Sequence, residues 1–346
     1  MLAARAAVTD RPSGRSLNLD PDRWRAPSDG PRWLYAEPGR LRVVWRLAVF
    51  ALALALFQPV VESVLTPLVG GISGAFGTRT PAYPWVTLAA IGASLVVALR
   101  MVDQRPWHAV ALGTGAWRPR TLLGGVGIGA LAILATFALL WVSGSARIET
   151  LATSIDGAPL ASSWSATSLR LALLLAPAAL WEELLFRGYL WTVAEEAADV
   201  RVARWTTAIA FGTVHLLNPG ANALSTLLVV TAGFGLGAIR EFSGSLPAAW
   251  CAHVAWNWVM AAVLHMPVSG ILFETPGYRT VIAGPDWWTG GAWGPEGGAA
   301  ALLVMGGALV VHARQARRTS APRSSAPLNR LTDSSTSFPS ENSARE

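Results

Sequence analysis

The first long apolar block of the chain is VVWRLAVFALALALFQPVVESV, residues 43–64. A run of about 20 mostly apolar residues is long enough to cross the hydrocarbon core of a bilayer as a helix. Further blocks of this kind occupy residues 85–101, 121–143, 169–190, 202–217, 223–239, 246–265 and 297–313. The sequence therefore predicts an all-α, polytopic membrane protein with about eight transmembrane helices.

The composition supports this class and excludes several others. Hydrophobic residues make up 52% of the 346 residues and charged residues only 14%, which is too apolar for an ordinary soluble domain. The single cysteine, Cys251, excludes an intramolecular disulfide framework and a multi-cysteine metal site. All 27 basic residues are Arg, a bias more typical of GC-rich codon usage than of a nucleic-acid surface. We expect the lipid bilayer as a partner, no nucleic acid, and a bacterial plasma membrane as the location.

The arginines indicate which side of the membrane each connection occupies. The segment before the first block is rich in Arg, whereas the next connection contains only Arg79. Arginine-rich connections and connections with at most one Arg then alternate along the chain. Because short Arg-rich loops stay in the cytoplasm, both termini are predicted to be cytoplasmic.

The polar segments divide the chain into three regions. Residues 1–42 and 314–346 have too little apolar content to bury a core, and we predict that they are a disordered cytoplasmic arm and tail. Residues 43–313 form the predicted membrane domain. The long outer connection 267–296 contains Trp287, Trp288 and Trp293, which favours a loop at the membrane interface.

The block 169–190 contains charged residues that are costly inside a membrane and are therefore candidates for function. Glu182, Glu183 and Arg187 lie within WEELLFRGY, residues 181–189. Glu183 and Arg187 are four residues apart on one helical face, which favours an ion pair. Adjacent residues point about 100° apart. Glu182 is therefore free to face another group, and it is the candidate general base.

Two other blocks contain residue pairs with the same four-residue spacing. Phe211 and His215 share a face of one helix, and His253 and Asn257 share a face of another. Each polar side chain would need a partner inside hydrocarbon. One shared, hydrated polar cavity satisfies this need most simply.

Two chemistries are open to such a cavity. A glutamate can activate water while a histidine orients it, and a His–Asn pair can stabilise an oxyanion, which together make an amide hydrolase without a covalent nucleophile. Alternatively, Glu182, His215 and His253 could bind zinc. The sequence has no His-Glu-x-x-His motif, and adjacent carboxylates bind one ion awkwardly. We therefore expect no cofactor, with zinc as the alternative.

The three motifs resemble those of a known family. Glu182-Glu183-x-x-x-Arg187, Phe211-x-x-x-His215 and His253-x-x-x-Asn257 follow one another on successive predicted helices. This pattern resembles the CPBP family, also called Abi, which includes type II CAAX prenyl endopeptidases and bacteriocin-processing intramembrane proteases. The resemblance covers roughly residues 169–260.

The resemblance implies a role for each of these residues. Glu182 would be the water-activating base with His215 as its partner, and His253 with Asn257 would form the oxyanion site. Glu183 and Arg187 would be a supporting ion pair, and Phe211 would shape the pocket. The implied activity is intramembrane cleavage of a peptide bond in a membrane-associated, lipidated or leader-peptide substrate. The alternative is a non-proteolytic membrane immunity or regulatory protein of the same fold.

Overall fold

A computed structural model of the chain describes residues 33–37, 40–75, 81–150, 163–273 and 277–320. Residues 1–32 of the predicted arm and 321–346 of the predicted tail lie outside these ranges, so their disorder stays a prediction. The ends of both segments that are described form regular structure: residues 35–41 contain two short strands, and the last helix extends to Ser320.

The described part of the chain is mainly helical, as predicted. The long helices are α1 (Val43–Ala75), α2 (Tyr83–Leu95), α3 (Pro119–Val142), α4 (Trp164–Glu183), α6 (Val200–Val214), α7 (Ala223–Ser243), α8 (Leu246–Trp258) and α10 (Ala299–Ser320). The shorter helices are α5 (Trp191–Ala197) and α9 (Asp286–Thr289). Wider π-helical turns extend three of them: Val96–Val102 after α2, Leu184–Leu190 after α4 and Val259–Val263 after α8.

Some of these helices are long and apolar enough to span a bilayer. Within the described ranges there are four, covering Val43–Ile72, Tyr83–Val102, Pro119–Val142 and Ala223–Ser243, and the apolar helix Ala299–Val310 is shorter. The other predicted blocks are also helical, but they are not among the helices that are long and apolar enough. The membrane class is therefore supported, whereas the count of eight spans stays a prediction.

Two small antiparallel strand pairs accompany the helices and depart from a purely α fold. Strand β1 (Tyr35–Glu37) pairs with β2 (Arg40–Leu41) at the end of the arm that was predicted to be disordered. Strand β3 (Ala146–Thr150) pairs with β4 (Tyr278–Ile282). The second pair joins the segment after α3 to the long connection 267–296. This long connection therefore contains a strand and is not only an interfacial loop.

The tryptophans of the outer connection also differ from one another. Trp287 is 60% exposed, as expected for a ring at the membrane interface, but Trp293 is only 2% exposed. Trp293 is buried because it packs in an apolar cluster with Phe186, Phe211 and Val229. Its carbonyl oxygen accepts a hydrogen bond from the backbone N–H of Gly270 at 2.8 Å.

A buried ion-pair network joins the first helix to the middle of the chain. Arg46 is 2% exposed, and it donates to Asp103 at 2.5 Å and to Glu196 at 2.8 Å. Glu196 also accepts from Arg40 and Arg105. Burial acts to raise the pKa of Glu196, but these arginines hold that pKa below its ordinary value. The network fixes the strand pair β1–β2, α1 and α5 against one another.

Helix α8, which contains His253 and Asn257, lies unusually close to α3. The approach depends on two glycines of α3: a Cβ atom at Gly125 would lie 2.2 Å from the carbonyl oxygen of Ala248, and one at Gly129 would lie 2.0 Å from that of Ala252. Small residues allow helices in membranes to pack backbone to backbone. The position of His253, the residue after Ala252, therefore depends on α3.

This packing predicts different effects for two glycines on the same helix. Gly129→Ala should lower the thermal midpoint of the detergent-solubilised protein, because overpacking costs about 1–3 kcal/mol. Gly127 has open space around the position of a Cβ atom. Gly127→Ala should therefore leave the midpoint unchanged or raise it slightly, since Ala favours helix over Gly by about 1 kcal/mol. Equal midpoints for the two variants would contradict the close α3–α8 contact.

Candidate active site

Glu183 and Arg187 form an ion pair inside the helix bundle. Arg187, in the π-helical turns after α4, donates from Nη1 to Glu183 Oε1 at 3.0 Å, and both side chains are 0% exposed. Its Nη2 donates to the carbonyl oxygen of Gly233 on α7 at 3.2 Å. Two buried charges are tolerated when they are paired and hydrogen-bonded. This pair therefore connects α4 to α7.

A histidine from α8 shares the same carboxylate oxygen. His253 Nδ1 lies 3.0 Å from Glu183 Oε1. Because a carboxylate only accepts hydrogen bonds, this contact assigns a proton to Nδ1 and leaves Nε2 as the nitrogen available to another group. Glu183 thus fixes the orientation of the His253 ring, much as a supporting carboxylate does for a metal-binding or catalytic histidine.

Glu182 has different surroundings from its neighbour Glu183. Its Oε2 is buried and has no hydrogen-bond partner in the part of the chain that the structure describes. The nearest ionisable contact is His253, whose Nε2 lies 3.9 Å from this oxygen, too far for a direct hydrogen bond. The side chain is 16% exposed, against 0% for Glu183. Glu183 Oε2 is likewise buried without a hydrogen-bond partner among the described residues, so the two carboxylates differ in exposure and in the partners of Glu183 Oε1, and Glu182 is the more accessible of the two.

Phe211 and His215, at the end of α6, complete one side of the cluster. The Arg187 guanidinium carbon lies 4.2 Å from the centre of the Phe211 ring, a cation–π distance. The same ring lies 5.9 Å from that of His253 and 4.6 Å from that of His215. The Phe211 ring is therefore close to the arginine and to both histidines.

His215 lies at the point where α6 ends, and its role as the partner of Glu182 stays a prediction. Its Nδ1 is 2.7 Å from the carbonyl oxygen of Phe211, because the chain turns into the 3-10 segment His215–Leu217 where α6 ends. This contact leaves Nε2 as the ring nitrogen that is available to another partner. Among the described residues, the ionisable contact of Glu182 is with His253, and no hydrogen bond or ion pair joins Glu182 to His215.

A cavity of about 710 Å³ lies beside this cluster. Its polar lining includes His215, His253 and Asn257, and Asn257 lies one helical turn after His253. Most of the remaining lining is apolar and comes from α3, α7, α8 and α10. Glu182 is not part of the lining but lies behind His253. An apolar chamber therefore meets a polar end lined by two imidazoles and an amide, and Glu182 lies 3.9 Å from one of these imidazoles.

The cavity also contains residues that the sequence analysis missed. Glu296, in the turn before α10, and Ser269, after α8, both line it. Glu296 Oε2 accepts from Trp256 Nε1 at 3.2 Å. A carboxylate between Pro295 and Gly297, directly before an apolar block, was the only sequence signal, and it had no partner at helical spacing.

The zinc alternative requires three ligands grouped around one ion, and it stays a prediction beside the metal-free one. Within the ranges that the structure covers, no three His, Cys, Asp or Glu side chains are grouped so that they could hold a metal ion. Glu182, His215 and His253, the ligands of that alternative, do not form such a group. The reaction proposed below therefore has no step that uses a metal.

The chain was compared with known proteins at three levels. Residues 163–259 match a family model described as type II CAAX prenyl endopeptidase Rce1-like. No curated protein and no solved structure matches the chain. The family match runs from the start of α4 to the end of α8 and contains all of the motif residues. It confirms the resemblance to the CPBP, or Abi, proteases that the three motifs indicated.

The two glutamates should respond differently to the same substitution. Glu183→Gln leaves the buried Arg187 without a charged partner, which typically costs about 3–5 kcal/mol, so we expect a large fall in folded yield and thermal midpoint. Glu182→Gln removes no hydrogen bond found among the described residues and should leave both nearly unchanged. Thermal unfolding of the two variants in the same detergent measures the difference. Similar losses in both would contradict the separate environments described above.

Proposed function

We propose that this protein is an intramembrane endopeptidase that hydrolyses a peptide bond with a water molecule activated by Glu182. The contrast between adjacent carboxylates carries the proposal. Glu183 is fully buried and bonded to Arg187 and His253. Glu182 accepts no hydrogen bond among the described residues, is 16% exposed, and has its buried Oε2 3.9 Å from His253 Nε2. Glu183 Oε2 is also buried without a hydrogen-bond partner there, but the other oxygen of Glu183 already has two partners. A buried polar atom left unpaired is costly, and function is a common reason for it.

The proposed reaction begins with water bound beside Glu182. Glu182 removes a proton from this water while His215 Nε2 orients it, and the oxygen attacks the carbonyl carbon of the scissile bond. The electron pair of the carbonyl bond moves to its oxygen. His253 Nε2, when the ring is doubly protonated, and the Asn257 amide donate hydrogen bonds to that oxyanion.

The second step breaks the peptide bond. The tetrahedral intermediate collapses, the C–N bond breaks, and Glu182 returns its proton to the leaving amine. Throughout the cycle His253 Nδ1 stays bonded to Glu183, which holds the ring in place. No covalent enzyme intermediate is required. This agrees with the position of Cys251, which is two residues before His253 on a helix and so points nearly away from it.

The cavity and the family description support the substrate class that we propose. The matching family is named for prenyl endopeptidases that act at CAAX sequences. For this chain we propose a membrane-associated peptide, either lipidated or a leader peptide, whose apolar part enters the cavity of about 710 Å³. We further propose eight spans with both termini in the cytoplasm of a bacterial cell, which the alternation of arginines supports.

Replacement of the proposed base tests the activity directly. Protein termini in membranes from cells that express the wild type or Glu182→Gln at matched levels can be compared by mass spectrometry. We expect new termini with the wild type and at least about a 100-fold reduction with the variant, the typical contribution of a general base. Glu149→Gln is the matched control, because Glu149 is an outer glutamate on β3 that pairs with Arg147 and Arg279.

The same comparison separates the protease from its rival. If Glu182→Gln produces the same termini as the wild type, Glu182 is not the base and the proposal is wrong. If neither protein produces new termini while a cellular phenotype persists in both, the chain is a non-proteolytic immunity or regulatory protein. In that case the polar cluster has a structural role.

Chelation tests the metal-free mechanism. We expect the purified wild-type protein to keep its full cleavage rate after exhaustive treatment with a zinc chelator, and zinc add-back to change nothing. Each cleavage rate should be compared with that of an untreated sample kept in the same detergent. Loss of activity on chelation, with recovery after zinc is added, would show that the zinc alternative was correct.

A further inference from the structure

Glu296 lies outside the family-matched segment and yet borders the proposed catalytic cavity. It follows residues 163–259 by a long stretch of chain and lies in the turn Pro295–Gly297 before α10. The residue is 8% exposed. A carboxylate buried this deeply must be compensated by donors. Its donors come from two separate segments.

The first donor is on α8. Trp256 Nε1 donates to Glu296 Oε2 at 3.2 Å. Trp256 lies three residues after His253 and directly before Asn257, so this hydrogen bond holds the part of α8 that contains the proposed oxyanion site. Glu296 is therefore connected to one of the two histidine-bearing elements.

The second pair of donors is in the turn after α8. Ser269 donates to Glu296 Oε1 twice, from its backbone N–H at 2.5 Å and from its hydroxyl at 2.6 Å. Ser269 has a φ of +49°, which is unfavourable for a residue with a side chain. The two hydrogen bonds to Glu296 stabilise this backbone conformation.

The turn that contains Ser269 in turn contacts the segment after His215. Asn218 Nδ2 donates to the carbonyl oxygen of Ser269 at 3.2 Å, and Asn218 directly follows the 3-10 segment His215–Leu217. The backbones also meet closely, because a Cβ atom at Gly270 would lie 2.2 Å from the carbonyl oxygen of Pro219. The second histidine-bearing element is therefore held by the same turn.

We propose that Glu296 is a positioning residue that sets the separation of the two proposed catalytic histidines. It holds His253 through Trp256, and it holds His215 through Ser269 and Asn218. A carboxylate suits this role because both of its oxygens accept, whereas an amide would present one acceptor and one donor to three donors. The catalytic part of this inference rests on the proposed function.

Glu296→Gln is the direct test, because it keeps the shape of the side chain. We expect kcat to fall about 10- to 100-fold with little change in KM, since small misplacements of catalytic groups have effects of this size. The probe is a synthetic peptide that spans the cleavage site found in the comparison of termini. Rates are normalised to folded protein, and Glu149→Gln is again the control.

A second variant tests the assigned donors. In Glu296→Gln the new amide N–H group and Trp256 Nε1 would both be donors, so removal of the indole N–H by Trp256→Phe should restore part of the lost kcat in the double variant. A double variant no more active than Glu296→Gln would overturn the contact with Trp256. The positioning role would be overturned if total activity fell only as far as the amount of folded protein, because kcat per folded molecule would then be unchanged.

Amide hydrogen exchange tests the positioning role without any substrate. Glu296→Gln should increase exchange at least about tenfold in peptides covering 267–271 and also in peptides covering 215–218, while peptides from α3 remain as in the wild type. Faster exchange in only the first segment would overturn the proposed connection to His215. This measurement is valid even if the chain cleaves no peptide, so it distinguishes failure of this inference from failure of the proposed protease activity.

Discussion

The structure depends on how one buried carboxylate is compensated. Glu183 Oε1 accepts from Arg187 at 3.0 Å and from His253 at 3.0 Å. The side chain is fully buried, so solvent water does not stabilise its charge. A charge removed from water requires several partners with good geometry. The partners come from α8 and from the extension of α4, and Arg187 extends the connection to α7 through Gly233. Three helices are thus held at fixed separations, and Glu182 is left beside them without a comparable partner.

The close approach of α3 to α8 adds a second constraint of a different kind. Gly125 and Gly129 contact backbone atoms of α8 at distances that no side chain could allow. Glu183 sets the orientation of the His253 ring, and α3 sets how far the helix that contains it can move. The turn that contains Ser269 and the separate turn that contains Glu296 then limit movement at the other end of α8. An apolar cavity with a polar end can persist between helices only if such contacts prevent the helices from closing on it.

Local spacing in the sequence predicted two of the contacts in the candidate site. Glu183 and Arg187, and likewise Phe211 and His215, meet because residues four apart share a helical face. Contacts between distant segments could not be predicted in this way. Arg46 lies inside the first apolar block without an acidic residue at helical spacing, yet it contacts residues 57 and 150 positions away. Glu296 and the pairing of β3 with β4 also join distant segments, and neither produces a periodic pattern. The membrane class followed from composition, whereas the end of α6 at His215 depends on a local turn that periodicity does not reveal.

The π-helical turns Leu184–Leu190 make the length of this segment as important as its composition. A π-helical turn contains about one residue more than an α-helical turn, so everything after it is rotated by about 100° relative to a regular helix. Tyr189 and Trp191 are buried, and this rotation places them on the side of the helix that faces the protein interior. Insertion or deletion of one residue at 188–190, after Arg187, would preserve the helix and every motif letter while turning α5 and its Glu196 network away from their partners. Related chains that share the motifs but differ by one residue at this point would therefore connect the same catalytic cluster to a different arrangement of helices.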